Sequence, residues 1–511
     1  MSKRFYITTA IDYVNGQPHL GHAYEKIIAD VIARARRSMG QEVFFLTGLD
    51  EHGQKVQQAA LAEKKDPQAY CDLLARDWLA FATRLGLTHD DFVRTTQPRH
   101  KDYVQATLSK LHDRGHFYKS SYSGFYSTKE ETFLTEKDRQ PDGTFDPAYG
   151  EVVELREENY YFKLKEHQEW LVDHLEKNPD FVSPPHRRNE VLGFLKNNTL
   201  EDLCISRPVS RLNWGIPLPF DREFVTYVWF DALVNYTSIA AHHADLELWP
   251  ADIHVIGKDI IKFHAVYWPI MLKAMGLPLP RQILVHGWWQ KDGARMSKSL
   301  GNVVDPVAIM NEWGVDPLRF HVLRELDIGP DGNWTDAGFQ ARYGAELANG
   351  LGNLVNRSLS MLQRYRQGIV PAVSMELAAE TIQATQETGE ALKQNHLQAG
   401  LLTIWGLISR ANQYVDQTAP FKLAKEPAQS QRLDAVLYNL VEICRVLAVL
   451  AWPYLPETAC KIHAQLGLAQ KPDQWSLSAW GGLAEGHRIG APSPLFPRRD
   501  DPHKSSGRSI N

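Results

Sequence analysis

The sequence is short of thiols, of long apolar runs and of positive charge, and each shortage narrows what the protein can be. Four cysteines, Cys71, Cys204, Cys444 and Cys460, are scattered through 511 residues, and no two have the close spacing of a zinc knuckle. Buried thiols are the expectation. The longest apolar stretch, Val441 to Leu455, is interrupted by Glu442, Arg445 and Pro453 and falls short of the roughly 20 residues a membrane-spanning helix needs. Met1 to Arg4 carries two basic residues but runs straight into a strand-like segment without an apolar signal core, so the reading is cytoplasmic, with no membrane partner. A formal charge of -5 excludes global attraction to a polyanion; any nucleic-acid partner must be met by a local basic surface.

What is present is an ordinary globular composition, 43% hydrophobic and 23% charged, in a chain of 511 residues. That is too long for one core, so two to four units are expected. Phe5 to Thr9 reads as a buried strand, Gly21 to Ser38 as a helix with Ile27, Ile28, Val31, Ile32 and Ala35 on one face, and Val43 to Thr47 as the next strand. This is a βαβ unit. From His116 to Leu212 the texture becomes Tyr-, Glu- and Lys-rich and hairpin-like, with Asp142-Gly143 as a turn, and reads as an insertion rather than more of the sheet. The α/β pattern resumes with strands at Ile253 to Ile256 and Ile283 to Val285, separated by a helical stretch, Ile260 to Met275, that Pro269 should kink. Beyond Tyr343 helical periodicity dominates through Leu455, with breaks at Pro420 and Pro456, and the chain ends in a polar tail. No internal repeat is visible.

Two motifs carry chemistry. In Pro18-His19-Leu20-Gly21-His22, Pro18 suits the first helical position and His19 and His22 share a face of the helix start. Exposed N–H groups and the helix dipole favour phosphate there, the histidines can donate to it, and Gly21 leaves room for a flat base. Far downstream, Arg295-Met296-Ser297-Lys298-Ser299 lies between Gly293 and Gly301. Two cations and two hydroxyls on a loop can clamp a triphosphate as charge builds on departing pyrophosphate. Each motif alone also fits a solvated turn; together they supply a helix-end phosphate site and a cationic lid. A third candidate, Asp50, is a carboxylate at a strand end, where ligands of doubly wound sheets bind, although a helix cap would look the same.

These residues resemble the two signature motifs of class I aminoacyl-tRNA synthetases, and the flanking text resembles the methionyl-tRNA synthetases. Tyr13-Val14-Asn15-Gly16, Gly48-Leu49-Asp50-Glu51-His52-Gly53, Val228-Trp229-Phe230-Asp231-Ala232, Ile256-Gly257-Lys258-Asp259 and Ala419-Pro420-Phe421 carry the likeness over nearly the whole chain. The resemblance implies a Rossmann-type parallel-sheet catalytic domain in two halves (1–115 and 213–290), a connective insertion (116–212), a linking fold with the cationic loop (291–342), an α-helical anticodon-binding bundle (343–495) and a tail (496–511). It implies that ATP, L-methionine and tRNA are the partners, with Mg²⁺ accompanying ATP. Asp50 would hold the substrate ammonium, and Ala10, Ile11, Tyr13, Trp229, Ala232, Leu233, Tyr236, Ile260 and His264 would line its pocket. Aromatic walls suit a long, weakly polar thioether, although aromatics beside a sheet are more often plain core. Gly257 and Asp259 would meet adenosine, and His19, Gly21, His22 and Lys298 the rest of ATP. His19, His22 and Lys298 are the catalytic candidates, with no general base because a carboxylate is already a nucleophile. Asn353, Arg357 and Phe421 would meet the anticodon, against the alternatives of solvent-facing polar groups and a core plug.

The sequence departs from the family at three places. Arg295 stands where Lys is usual, so a planar fork replaces a point charge. Phe421 stands where many relatives have Trp, with less stacking area. Ser127 and Glu130, in Tyr126-Ser127-Thr128-Lys129-Glu130-Glu131, stand where zinc-bearing relatives place cysteines. A knuckle without metal, and no structural zinc, is therefore expected. The appended tRNA-binding module of dimeric relatives is absent from the pattern, which points to a monomer. The alternatives are a synthetase for leucine, isoleucine or valine, for which the insertion is small, a small-molecule nucleotidyltransferase, and a non-catalytic RNA-binding relative.

Overall fold

The computed structural model describes residues 4–14, 16–127, 132–134, 136–296 and 301–497. Its elements, in chain order, begin β1 (Phe5–Thr9), β2 (Asp12–Tyr13), α1 (Leu20–Ser38), β3 (Val43–Asp50), β4 (Asp91–Arg94) and α2 (Pro98–Asp113). They continue with β5 (Phe117–Ser127), β6 (Val152–Phe162), β7 (Val182–Ser183), α3 (Val228–His242), β8 (Ile253–Gly257), α4 (Trp268–Met275) and β9 (Gln282–His286). After these come β10 (Trp289–Lys291), β11 (Ala294–Arg295), α5 (Val315–Arg324), β12 (Gly332–Trp334), α6 (Asn353–Arg366), α7 (Leu397–Thr418) and α8 (Ser430–Ala451). The chain divides into two compact units, one of residues 1–18, 44–84 and 89–286, the other of residues 19–43, 85–88 and 287–511.

The first unit is built on a seven-stranded sheet in the order β2-β3-β1-β8-β9-β7, with β4 paired to β3. The β1–β8, β8–β9, β9–β7, β2–β3 and β3–β4 pairs are all parallel. Four of the five residues of β1 and all five of β8 are buried, as a sheet covered on both faces requires, which is why these strands read as continuous apolar runs. From β1 the chain builds outward through β3 to β4 on one side, while β8 and β9 build outward on the other. The order therefore reverses between β1 and β8, and the crevice beyond their carboxyl ends is where ligands bind in such sheets. The mixed α/β architecture with a parallel sheet agrees with the sequence reading.

Two local expectations change. The stretch read as wholly inserted contributes to the sheet, because Ile283 and Leu284 of β9 pair with Val182 and Ser183 of β7. The signal was too short to see, since β7 has two residues. The helical stretch that contains Pro269 changes pitch along its length. The segment opens with a 3₁₀ turn, Lys258–Ile260, passes through a π-helix, Phe263–Tyr267, and becomes α-helical at Trp268 with Pro269 in the first turn. Proline lacks the N–H and crowds the carbonyl four residues back, so the preceding turn widens.

The second unit is held by a buried charge network. Asp30 of α1, fully buried, accepts from Arg319 Nη2 at 2.7 Å, from Arg34 Nε at 2.8 Å, and from the backbone N–H and hydroxyl of Thr88 at 2.8 and 2.7 Å. Arg319 of α5, equally buried, also donates to the carbonyls of Tyr454, Pro453 and Leu85. Burial opposes charge on Asp30, but Arg319 and Arg34 hold its carboxyl below the ordinary range. The apolar stretch of α8 is likewise a packed core helix. Glu442 pairs with Arg445 at 2.6 Å and accepts from the N–H groups of Gly481, Gly482 and Leu483. Among the described residues no helix is long and apolar enough to cross a membrane.

His321 of α5 sits between Trp289, Trp334 and Phe339 with neither ring nitrogen hydrogen-bonded. Burial pushes it down to about 3 from an ordinary 6.5. The unfolded chain therefore takes up a proton at this residue below pH 6.5 while the folded chain does not until about pH 3. Its contribution to stability is intact above pH 6.5 and is lost progressively through that window. His321→Leu should remove about 1 kcal/mol per pH unit from the slope of unfolding free energy between pH 6.5 and 5, measured by urea titration.

Candidate active site

In the first unit the candidate pocket forms at the carboxyl ends of the central strands. The short strand β2 lies on the end of β3 with Tyr13 opposite Asp50, and the N–H of Val14 donates to the Asp50 carbonyl at 3.1 Å. Asp50 is 5% exposed, a carboxylate kept almost out of water at the end of a parallel strand. Gly53, with φ +105°, lets the chain turn there, and a Cβ on it would stand 2.4 Å from the Tyr13 hydroxyl and 3.4 Å from Val228. Only glycine permits that approach. Ala10 and Ile11 follow β1, where the N–H of Ala10 extends the ladder to the Val255 carbonyl at 3.1 Å.

The opposite wall comes from α3 and the π-helix. Trp229 stacks on Phe263, centroids 3.7 Å apart and planes 7° from parallel, and meets His264 edge-on at 6.4 Å. His264 Nδ1 lies 3.1 Å from the Ile260 carbonyl and Nε2 lies 2.8 Å from the Tyr236 hydroxyl. A carbonyl only accepts, so a neutral His264 carries its proton on Nδ1 and Tyr236 donates to Nε2. Tyr236 also stacks on His254 at 4.2 Å. Burial keeps His254 well below its ordinary range, so it is a neutral ring between the Thr8 hydroxyl and the Trp268 indole N–H. Ala232 and Leu233, on the same helix, are buried. The wall is thus an apolar and aromatic surface in which Tyr236 and His264 hydrogen-bond to each other. Phe263 was not anticipated; its signal, an aromatic four residues before Tyr267, is indistinguishable from core.

Sequence reading also missed the lattice behind the pocket. Asp231, fully buried, lies 2.6 Å from His52 Nδ1 and 2.6 Å from His100 Nε2, and His100 Nδ1 is 2.9 Å from Ser238 Oγ. Burial works against ionisation of Asp231, but His52 opposite and the hydrogen bonds from both imidazoles hold its carboxyl at about 2. Beside it, Glu51 pairs with Arg94 at 2.6 Å and Thr96 donates to its other oxygen, while Arg94 also reaches Asp72. These groups fix the end of β3 and the start of α3, the two elements that carry Asp50 and Trp229.

Gly257 is buried at the end of β8, and a Cβ on it would stand 2.6 Å from Asp259 Oδ1. Asp259 and Lys258 occupy the 3₁₀ turn that follows, with Asp259 exposed.

In the second unit, α1 starts at Leu20, two residues later than Pro18 suggested. His19 is the N-cap, and Pro18 precedes it. The N–H of Gly21 donates to His19 Nδ1 and the N–H of His19 donates to His22 Nδ1, both at 3.1 Å, forming a reciprocal capping box with rings stacked at 3.6 Å. With Nδ1 accepting, each neutral imidazole carries its proton on Nε2. A Cβ on Gly21 would stand 3.0 Å from the His19 ring, so this glycine first makes room for the imidazole.

The stem of the cationic loop is the ribbon β10–β11, with β12 parallel to β10. Trp289 of β10 meets Tyr24 of α1 edge-on at 5.8 Å, tying the loop stem to the helix that starts with His19. The Arg295 guanidinium lies over the Trp288 ring at 4.3 Å, which occupies the planar fork. Ser297, Lys298 and Ser299 lie outside the described residues, as do Thr128 to Glu131 and the end of the tail from residue 498. Ser127 donates to the Tyr149 carbonyl at 2.6 Å.

In the helical region Asn353 opens α6 and Arg357, one turn on, reaches Asp416 of α7 at 3.2 Å. Phe421 is 46% exposed in the short helix Pro420–Leu423, entered through Ala419 at φ +44°. It is not a core plug.

A family profile described as tRNA synthetases class I (M) matches residues 5–154 and 147–359, and one described as the anticodon binding domain of methionyl tRNA ligase matches residues 370–507. The methionine–tRNA ligase of Clostridium acetobutylicum is 42% identical over 98% of this chain and 78% of its own length. That of Bacillus subtilis is 40% identical over 97% of the chain and 78% of its own. Among solved structures, Mycobacterium tuberculosis methionyl-tRNA synthetase in complex with methionyl-adenylate superposes with TM-score 0.91 at 37% identity, covering 97% of this chain and 100% of that one. The parallel sheet and the matching family profile place the chain among the class I aminoacyl-tRNA synthetases. Within that class the chain belongs to the methionyl-tRNA synthetase family.

The lattice behind the pocket is open to a direct check. Asp231→Asn should cost about 3 kcal/mol or more in urea unfolding, because it removes one partner of a buried charged set. The double mutant with His52→Ala should be less destabilised than the sum by at least about 1 kcal/mol; strict additivity would show that the contact carries no coupling.

Proposed function

We propose that the chain condenses L-methionine with ATP to methionyl-adenylate and pyrophosphate, then transfers the methionyl group to the 3′-terminal adenosine of a methionine tRNA. The observation that carries this reading is Asp50, buried beside Tyr13, in the same unit and at the same end of the sheet as the wall of Trp229, Phe263, Tyr236 and His264. A carboxylate this deeply buried favours a cation beside it, and the α-ammonium of an amino acid supplies one. Ala10, Ile11, Tyr13, Trp229, Ala232, Leu233, Tyr236, Ile260 and His264 are assigned to the thioether. It gains from aromatic contact and asks for no hydrogen bond, which matches a wall of stacked rings in which Tyr236 and His264 are bonded to each other.

Gly257 and Asp259 are assigned to adenosine, and His19, Gly21, His22 and Lys298 to the rest of ATP, with Mg²⁺ entering on the nucleotide. A carboxylate oxygen of methionine attacks the α-phosphorus, the bond to the β-phosphate oxygen breaks, and pyrophosphate leaves. Placement of the attacking oxygen and neutralisation of the departing charge supply the acceleration, without a protein base. The terminal ribose hydroxyl of tRNA then attacks the acyl carbon and AMP departs. Asn353, Arg357 and Phe421 are assigned to the anticodon, the exposed Phe421 as a stacking plane worth about 1 to 3 kcal/mol per base. We assign catalysis to 1–115 and 213–290, the connective role to 116–212, linkage to 291–342 and anticodon binding to 343–495. We place the enzyme in the cytoplasm as a monomer, which light scattering at 58.1 kDa would bear out.

Pyrophosphate exchange across all twenty amino acids should show methionine as the preferred substrate; preference for leucine would refute the assignment. Asp50→Ala should reduce that exchange by at least about a hundredfold, the cost of losing a charged contact in a dry site. Asn353→Ala should leave exchange unchanged and weaken tRNA charging about tenfold, read as aminoacylation KM. An equal loss in both assays would break the division of labour.

A further inference from the structure

At the base of the inserted hairpin β5 and β6 run side by side with Phe117 opposite Phe162. His116 stands one residue ahead of β5, and Glu166 and His167 lie in the 3₁₀ turn Lys165–His167 just beyond β6. The backbone fixes both segments, with the N–H of Lys163 donating to the His116 carbonyl and that of His167 to the Leu164 carbonyl, each at 3.1 Å. One ligand-type atom from each of the three side chains lies within 4.8 Å of the other two. His167 Nε2 is buried, makes no hydrogen bond, and stands 3.5 Å from Glu166 Oε1. Burial pushes both imidazoles below their ordinary range, leaving neutral rings with a lone pair to give at neutral pH.

We propose that His116, Glu166 and His167 form a binding site for a divalent transition metal such as Zn²⁺, which clips together the two ends of the hairpin β5–β6. Two imidazoles and one carboxylate are the donor set of Zn²⁺, Co²⁺ and Ni²⁺, whereas Mg²⁺ and Ca²⁺ prefer oxygen alone. Bonds of about 2.0 to 2.1 Å in a tetrahedron place neighbouring ligand atoms roughly 3.3 Å apart. The three ligand atoms already lie within 4.8 Å of one another, and Glu166, with its side chain 54% exposed, has room to turn. Water would complete the fourth position. Arg114, Lys163 and Lys273 bear on the two rings and oppose a further cation. Each is engaged elsewhere, Lys163 on the Gly115 carbonyl at 2.7 Å, Arg114 on that of Ala274 at 3.5 Å, and Lys273 over the Trp170 ring at 4.0 Å. Their residual repulsion makes the ion exchangeable rather than permanent. This site is separate in sequence from the cysteine positions of the knuckle, and it revises the expectation that the chain offers no metal ligands.

The test uses full-length, untagged, chelator-stripped protein titrated with Co²⁺. One equivalent should bind with the intense visible bands of a four-coordinate ion, and Zn²⁺ should displace it while Mg²⁺ does not. His167→Ala, and Glu166→Gln as a surface change that leaves folding alone, should each weaken Co²⁺ binding at least about tenfold, with far-UV circular dichroism of the stripped proteins unchanged. Absence of the bands in the wild-type protein, displacement by Mg²⁺, or a titration of Glu166→Gln indistinguishable from wild type would overturn the proposal.

Discussion

The ionised carboxylate of Asp231 sets the frame of the first unit. It sits on α3, which comes after the insertion, yet its partners His52 and His100 come from before it. A charge with no water around it tolerates few geometries, so each half of the interrupted chain is held in register by the other. Asp50 lies two residues from His52, and Trp229 lies two residues from Asp231. The same contact therefore aims a carboxylate from one half and an aromatic plane from the other, and the pocket inherits its dimensions from an interaction that touches no ligand. Glu51 with Arg94 and Thr96 stiffens the same corner.

The second unit follows the same logic with different groups. Asp30 lies eight residues beyond His22 on α1, and Arg319 and Arg34 grip it in the interior. The start of the helix is thereby anchored through its middle, while its two histidines close their own backbone. Their Nδ1 atoms accept the two backbone N–H groups, which leaves the ring protons on Nε2. One pair of residues thus caps the helix at the end we assign to phosphate.

Much of this was legible beforehand where the pattern is local. The buried strands at Phe5, Val43, Ile253 and Ile283 read as apolar runs, and Asp50 and the His19–His22 pair could be singled out because strand ends and helix starts have their own chemistry. Contacts between distant positions were not legible. His52, His100 and Asp231 look like unrelated polar residues until the sheet folds. His116 and His167 are some fifty positions apart and have no spacing to recognise. The two-residue β7 is below any periodicity. The π-helix arises from Pro269 acting on the turn before it, and hydropathy does not record turn width. Phe421 could be read as stacking plane or as core, and only its exposure in the fold separates the two.

The pairing of β1 with β8 joins residues 246 positions apart, as between Thr8 and His254. A ribosome adding roughly 5 to 20 residues per second needs roughly 12 to 50 s to deliver the second strand after the first. Throughout that interval β1 can be covered on its β3 side alone, and its other flank is an open row of peptide groups, the kind of edge that invites pairing with a stranger. The hairpin of the insertion, made wholly from residues synthesised in between, has time to close first. An enzyme of translation thus depends on its nascent form being kept apart from its neighbours until the middle of its own message has been read.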